Sequence, residues 1–152
     1  MSTNLTAVLQ ELLQNTTNVT VLRQLMTPDA TYVSLNFNNP ELKKIMPWTG
    51  THKGPQALPD VLPRSNASGK HSTSRSSTPL SKVTASPSST FTYKSIATGK
   101  EITSLFGLLA RFEGEKVAYI QFLEDSYGTA GSFKTGGATR FHSDPSGKEV
   151  EA

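Results

Sequence analysis

The chain has 152 residues, of which 35% are hydrophobic and 18% charged, and it contains no cysteine. This length suits a single domain, residues 1–152, whose core must take up most of the apolar residues. The absence of cysteine excludes a disulfide scaffold, a zinc site with thiolate ligands and a cysteine nucleophile. No apolar run is long enough to cross a bilayer and no secretory signal precedes the domain, so the sequence predicts a cytoplasmic protein without a membrane contact.

The formal net charge is +3, from 15 basic and 12 acidic residues. This excess is local, because six basic residues but no acidic residue lie between Asp60 and Glu101. Without those six, the chain has 9 basic and 12 acidic residues, and no nucleic-acid partner is expected for the domain as a whole. The six are Arg64, Lys70, Arg75, Lys82, Lys94 and Lys100.

The first 28 residues predict two short helices. Asn18 follows a polar break and is expected to cap the second helix, which Pro28 should end. The first helix is indicated by an apolar stripe at helical spacing, formed by Leu5, Val8, Leu9, Leu12 and Leu13.

The next segments predict two strands and a helix. Residues 30–37 alternate in hydropathy, which predicts a strand with Tyr32 and Val33 on opposite faces. The polar stretch 38–44 is expected to form a loop. A second strand is expected over 46–52, with Trp48 and His52 on one face, and the Gly-Pro pair at 54–55 should open a short helix.

The composition changes abruptly at residue 63. Ser, Thr and Pro supply more than half of residues 63–90, and the only large aliphatic side chains there are Leu80 and Val83. Such a stretch cannot bury enough apolar area to offset its ordering entropy, so it predicts a flexible insert within the domain.

Strand patterns return after the insert. Residues 91–99 predict a strand and a turn, 101–112 a long strand that is apolar on both faces, and 116–125 a return strand after a hairpin turn. A short strand is expected near 138–142, after a Gly-rich turn. Helices followed by a meander of strands indicate an α+β fold with helices packed on one face of an antiparallel sheet.

Three segments carry a resemblance to a known family: residues 22–34 (LRQLMTPDATYVS), 46–58 (MPWTGTHKGPQAL) and 91–133. They resemble the SnoaL-like branch of the nuclear-transport-factor-2-like (NTF2-like) superfamily, which includes ketosteroid-isomerase-type and cystatin-like proteins. The resemblance implies a cone-shaped fold in which a curved sheet wraps around N-terminal helices and encloses an apolar pocket. It fails over about residues 59–90, which we interpret as a lineage-specific replacement or a local reading-frame disruption.

Asp125 is the first candidate for chemistry, because it ends the best-matched strand. A carboxyl group in an apolar pocket has a raised pKa and suits proton transfer, and the resemblance implies an acid/base Asp near this strand end. The alternative is that Asp125 caps the turn that follows. Glu124 points to the other face of the strand and is interpreted as a solvated charge.

Two further residues complete the predicted catalytic group, and three more are expected to bind substrate. His52 titrates in the range that suits proton transfer, and Tyr32 could donate a hydrogen bond to a developing oxyanion. Each has a simpler reading, as an exposed histidine at the pocket rim and a half-buried sheet aromatic. The predicted substrate-binding residues are Trp48, Tyr119 and Gln121.

These features support two hypotheses about function. The first is a small acid/base catalyst, a cyclase, isomerase or dehydratase, acting without cofactor or metal on an apolar small molecule that carries a carbonyl group. The second is a non-catalytic module of the same fold that binds a ligand or dimerises. The resemblance also implies a homodimer formed through the outer face of the long strands.

Overall fold

A computed structural model describes residues 4–62, 83–95, 98–142 and 147–151, with residues 83–91 and 93 described by their backbone. The described parts form five helices and seven strands, and they confirm the predicted α+β class. Five of the strands form one curved sheet, against which the first helices pack.

Helices α1 (Leu5–Gln14) and α2 (Val19–Leu25) confirm the two predicted N-terminal helices. The Asn4 side chain accepts hydrogen bonds from the first backbone amides of α1, and Asn18 caps α2 by accepting one from Val21. These caps satisfy amides that have no partner within the helix. The apolar stripes of both helices face the sheet, where Leu9, Leu12 and Leu22 are buried.

Two further helices flank the second strand of the chain. The expected loop at 38–44 is instead helix α3 (Pro40–Ile45), because Asn39 accepts two backbone N–H bonds, Pro40 starts the helix and Leu42 gives it a buried side chain. Helix α4 (Ala57–Val61) confirms the short helix predicted after residue 54.

The main sheet has the strand order β2-β1-β5-β4-β3. Strands β1 and β5 pair in parallel, and the other neighbours pair antiparallel. The strands are β1 (Met26–Ser34), β2 (Gly50–Lys53), β3 (Val83–Lys94), β4 (Glu101–Glu113) and β5 (Lys116–Glu124). Several expected boundaries move: β1 begins directly after α2, contains Pro28 and ends at Ser34 rather than at residue 37, and β2 begins at Gly50 rather than at residue 46.

The backbone of residues 83–90 belongs to β3, whereas the composition predicted a loop as far as residue 90. These residues pair with β4 from Val83↔Arg111 onwards, so the partner strand provides the hydrogen bonds that the composition did not indicate. The register shifts between Ser86 and Ser89, around Pro87. A proline without an N–H is accommodated at such an irregularity on an edge strand. The rest of the predicted insert, residues 63–82, lies outside the described residues.

The β4–β5 hairpin sets which side chains face the helices. Its turn uses Gly114 at φ 60, a conformation that favours glycine. The register shifts by one residue near the start of β5, where Phe112 pairs with Val117 and Arg111 with Tyr119. This bulge turns Val117 to the same face as Ile120, although strict alternation would put them on opposite faces, and beyond it the inward side chains are Ile120, Phe122 and Glu124.

The inward, concave face of the sheet forms the core with the helices. Its central members include Tyr32, Leu108, Ala110 and Ile120, all nearly inaccessible to solvent. The chain then continues into helix α5 (Ser126–Gly131) and the hairpin β6 (Arg140–His142) and β7 (Glu149–Glu151), which agrees with the strand expected near 138–142.

Candidate active site

Three aromatic rings follow one another along the concave face near the end of β5. The Tyr32 and Phe122 rings meet edge to face, with centroids 5.9 Å apart. Phe106 lies 6.2 Å from Phe122, centroid to centroid, and stands directly opposite Glu124 in the β4–β5 register. The carboxyl group of Glu124 therefore extends from a wall that is mainly aromatic.

Glu124 is the carboxyl group that this wall perturbs. It is partly buried, and the loss of hydration raises its pKa from 4.5 to about 7. A hydrogen bond from the Thr129 hydroxyl, 3.4 Å from Oε2, acts in the opposite direction, and the charge of Asp125 adds to the increase. Near neutral pH such a group populates both protonation states, which is what a general acid or base requires.

Tyr32 places a phenol on the same face. Burial raises its pKa to about 12, the Ser34 side chain lowers it through a hydrogen bond, and the charge of Glu124 raises it further. The phenol therefore keeps its proton at any physiological pH and can act as a hydrogen-bond donor. Tyr32 is 1% exposed and belongs to the core, so it is more deeply buried than the half-buried sheet aromatic considered from the sequence.

His52 lies opposite Tyr32 in the β1–β2 register, and the two ring centroids are 6.0 Å apart. Its Nε2 lies 2.8 Å from the carbonyl oxygen of Trp48. Because a carbonyl oxygen only accepts, Nε2 carries the donated proton, which fixes the ring orientation and makes Nδ1 the acceptor of the neutral ring. Trp48 itself packs edge to face on Phe133, at 5.6 Å between centroids, and joins the two apolar clusters of the fold.

Asp125 does not lie in the apolar pocket that the sequence predicted for it. Its side chain is exposed, and it caps α5 by accepting a hydrogen bond from the Gly128 amide at 2.9 Å. The strand ends one residue earlier, at Glu124, so the alternation places Glu124 inside and leaves Asp125 at the first position beyond the sheet. The capping alternative considered for Asp125 is the arrangement that the structure shows.

Tyr119 and Gln121 also lie away from the concave face. Because Tyr32 pairs with Ile120, the residues on either side of Ile120 point to the opposite, convex face. There the Tyr119 hydroxyl donates to the Gln121 side chain at 2.6 Å, and the Arg111 guanidinium lies 5.1 Å from the centroid of the Tyr119 ring. The two residues predicted to bind substrate thus form a polar pair on the convex face, where Gln121 itself is buried.

An open groove of about 410 Å³ lies at this end of β4 and β5. It is lined by Leu105, Phe106, Gly107, Leu123 and Glu124. Leu105, Gly107 and Leu123 belong to the convex face, so the groove borders Glu124 but is not a cavity of the concave face.

Sequence reasoning missed Glu124 although the pattern contained the signal. The alternation of β5 already grouped Glu124 with Ile120 and Phe122, two apolar residues. An acidic residue on the apolar side of a strand is the unusual case, because an unpaired carboxylate is costly to bury. No local sequence pattern indicated Thr129, because its contact with Glu124 depends on how α5 packs against the end of β5.

Two features are absent from the described ranges 4–62, 83–95, 98–142 and 147–151. No group of three His, Asp or Glu side chains within them is arranged to hold a metal ion. No helix within them is both long and apolar enough to span a bilayer.

Comparison with known sequences gives the family. The chain is 38% identical over 135 residues to patulin synthesis protein F of Aspergillus clavatus, across 84% of this chain and 67% of that protein. It is 36% identical over 139 residues to patulin biosynthesis cluster protein F of Penicillium expansum, across 87% of this chain and 69% of that protein. The chain belongs to the patulin synthesis protein F family. No protein-family model matches its sequence.

Solved structures with a similar backbone give the fold of this member of the patulin synthesis protein F family. An NTF2-like protein from Burkholderia xenovorans LB400 aligns with a TM-score of 0.67 at 13% identity, over 86% of this chain and 95% of that one. A protein named as a SnoaL-like polyketide cyclase, from Jannaschia sp. CCS1, aligns with a TM-score of 0.66 at 11% identity, over 88% and 93%. TerC co-crystallised with polyporic acid aligns with a TM-score of 0.65 at 13% identity, over 85% and 97%. The NTF2-like, SnoaL-like fold implied by the sequence is confirmed.

Proposed function

We propose that this protein is a cofactor-independent acid/base catalyst that acts on a small, largely apolar molecule with a carbonyl group, and that Glu124 transfers the proton. The observation that carries the proposal is the grouping of a carboxyl, a phenol and an imidazole on one mainly aromatic concave wall, from Glu124, Tyr32 and His52. Cyclisation, isomerisation and dehydration all require this combination of one base and one oxyanion donor.

The chemistry assigns a separate part to each group. The ionised Glu124 carboxylate removes a proton from the carbon next to the substrate carbonyl, and the oxygen of the resulting enolate accepts a hydrogen bond from the Tyr32 phenol. The protonated Glu124 then returns the proton at another position, which completes an isomerisation, or protonates a leaving hydroxyl group, which completes a dehydration. We propose that His52, whose ring is held by the Trp48 carbonyl and lies 6.0 Å from the Tyr32 ring, orients the substrate beside Tyr32.

The relatives narrow the class of substrate. Both curated relatives are named for patulin synthesis, and one structural neighbour is named as a polyketide cyclase. We therefore propose that the substrate is a carbonyl-bearing intermediate of the kind that patulin synthesis uses. The aromatic wall of Phe106 and Phe122 suits a flat, unsaturated ring because such rings pack well against aromatic faces.

An extract of a Penicillium expansum strain that lacks its patulin biosynthesis cluster protein F provides the test. Purified protein is added to the extract, and liquid chromatography with mass spectrometry follows the compounds that this strain accumulates. We expect the wild-type protein to convert one of them, the Glu124→Gln variant to convert it at least about 100-fold more slowly, and the Tyr32→Phe variant at least about 10-fold more slowly. Absence of conversion would contradict the proposed substrate class, and binding without conversion would favour a ligand-binding module.

We also propose that the protein forms a homodimer through the convex face of β4 and β5. Leu105 is 63% and Leu123 47% exposed in the monomer; Leu105 lies two residues before Gly107 on β4, and Leu123 lies directly across from Gly107 on β5. Exposed apolar side chains grouped in this way are typical of an interface. Sedimentation velocity should show a dimer for the wild type and a monomer for Leu123→Lys; a wild-type monomer at all concentrations would contradict the proposal.

A further inference from the structure

Helix α5 brings one hydroxyl group to the carboxyl group of Glu124. Thr129 is 5% exposed, and its Oγ1 lies 3.4 Å from Glu124 Oε2. The contact joins two residues on different elements, one at the end of β5 and one in the middle of α5. The distance is long for a hydrogen bond between two oxygens, as is common for catalytic contacts before a substrate binds.

The start of α5 is held in place by the residues around it. Asp125 caps the helix, and its own amide donates to the Ser104 Oγ of β4 at 3.1 Å. Gly128 permits the close approach, because a Cβ at this position would lie 2.6 Å from Asp125 Oδ2 and 2.8 Å from Ile102 Cδ1. The helix is thus fixed against the strand opposite Glu124.

The end of α5 is also tied to the β3–β4 connection. The Thr98 hydroxyl donates to the Ser132 carbonyl at 2.6 Å, and Lys100 Nζ donates to the Lys134 carbonyl at 2.5 Å. The Ser132 hydroxyl in turn donates to the Thr129 carbonyl at 2.7 Å. With both ends anchored, the backbone of α5 holds Thr129 beside Glu124.

We propose that Thr129 is a positioning residue that holds Oε2 of Glu124 from α5 and leaves Oε1 to exchange the proton with substrate. This proposal rests on the proposed function of Glu124. A hydroxyl that donates to a carboxylate stabilises the ionised form, whereas the aromatic surroundings stabilise the neutral form. Thr129 therefore opposes the desolvation of Glu124 and keeps both of its protonation states accessible.

The other titratable groups near Glu124 do not replace this contact. Asp125, next in the chain, is negative and favours protonation of Glu124, and the Tyr32 phenol on β1 keeps its proton. His52 faces Tyr32 from β2, and its Nε2 is engaged by the Trp48 carbonyl. Helix α5 has no charged residue in its sequence SYGTAG, so its contribution to Glu124 is the hydroxyl of Thr129.

The test is a titration of the Glu124 side-chain carboxyl by 13C NMR in four forms of the full chain: wild type, Thr129→Val, Thr129→Ser and Thr103→Val. Valine keeps the shape of threonine without the hydroxyl, and serine keeps the hydroxyl. Thr103→Val is the matched control, because the Thr103 hydroxyl meets Thr92 on the exposed side of the sheet at 2.7 Å.

We expect Thr129→Val to raise the pKa of Glu124 by about half a unit or more, and Thr129→Ser and Thr103→Val to leave it nearly unchanged. An unchanged pKa in Thr129→Val, or equal shifts in the valine and serine variants, would overturn the proposal. Should Thr129→Val not fold, Thr129→Ala replaces it with the same expected shift.

The positioning role of Thr129 and the catalytic role of Glu124 can fail independently of each other. If Glu124→Gln loses conversion while Thr129→Val titrates like the wild type, the positioning role fails and the catalytic role stands. If Thr129→Val shifts the titration while Glu124→Gln converts substrate normally, the positioning contact is real and the catalytic role of Glu124 fails.

Discussion

The two faces of the sheet at β4 and β5 differ in what surrounds their polar groups. On the concave face, Glu124 extends from an aromatic wall and loses hydration, which raises its pKa to about 7. On the convex face, Tyr119 contacts both Gln121 and Arg111, and Leu105 and Leu123 of the same face are exposed. One residue along the chain separates these environments, because consecutive side chains of a strand point to opposite faces.

The same contrast distinguishes two adjacent acids. Glu124 is the last residue of β5 and points inward, whereas Asp125 lies beyond the strand, is exposed and caps α5. Both are carboxyl side chains on consecutive residues, and their different surroundings give them different chemistry. Position relative to the strand end, rather than residue type, thus decides which of them can serve as an acid/base group.

The largest expected effect separates these two acids by activity. Glu124→Gln should lower the rate of substrate conversion by at least about 100-fold, since it removes the group that transfers the proton. Asp125→Asn should retain at least about one third of the wild-type rate, because asparagine also caps helices. The conversion assay with the Penicillium expansum extract measures both, and the reverse order of effects would contradict the assignment.

The second prediction compares two leucines on opposite faces of β4. Leu108 is 2% exposed within the core, so Leu108→Ala should lower the free energy of unfolding by about 2–5 kcal/mol. Leu105 is 63% exposed, and Leu105→Ala should change it by no more than about 0.5 kcal/mol in the monomer. Urea denaturation at low protein concentration measures both, and similar effects would mean that the two faces are wrongly assigned.

The third prediction concerns stability and pH. The folded-state pKa of Glu124 is about 7 and its ordinary value 4.5, so between these values the folded state binds more protons than the unfolded state. Stability should therefore fall as the pH rises through this window. Glu124→Gln removes this loss and should raise the free energy of unfolding by about 1–3 kcal/mol at pH 8, with little change at pH 4.

Urea denaturation of wild type and Glu124→Gln across this pH range measures the difference. The difference between the two proteins should grow from pH 4.5 to pH 7 and then level off. A difference that stays constant with pH would show that Glu124 is not perturbed by its surroundings.

The smallest expected effect is electrostatic. Asp125→Asn keeps the helix cap and removes one negative charge beside Glu124, so it should lower the pKa of Glu124 by a few tenths of a unit. This is opposite in sign to the shift expected for Thr129→Val. Carboxyl 13C NMR resolves such a shift, and an increase would contradict the charge effect assigned to Asp125.

The sequence predicts much of the fold because local patterns and tertiary packing agree there. The stripes of α1 and α2, the Asn18 cap and the β4–β5 hairpin are all marked by periodicity or turn residues. Helix α3 was missed because its six residues contain one buried side chain. The backbone of 83–90 was missed because an edge strand obtains its hydrogen bonds from its partner, which composition does not record.

The candidate site was only half predictable. Tyr32 and His52 could each be singled out by residue type and by a strand pattern, but their pairing across β1 and β2 depends on a connection that contains α3. The choice between Glu124 and Asp125 depended on where β5 ends and which face the helices cover, and neither is a local property. Tyr119 and Gln121 were assigned to the pocket for the same reason, since alternation groups residues by face without saying which face is inside.

The most direct test of the central claim is the titration of the Glu124 side-chain carboxyl by site-resolved 13C NMR in the wild-type protein. The structure predicts a midpoint near pH 7, because the aromatic wall removes hydration from the carboxylate. A midpoint near 4.5, the ordinary value for glutamic acid, would show that water reaches this carboxyl freely and would contradict its proposed role in proton transfer.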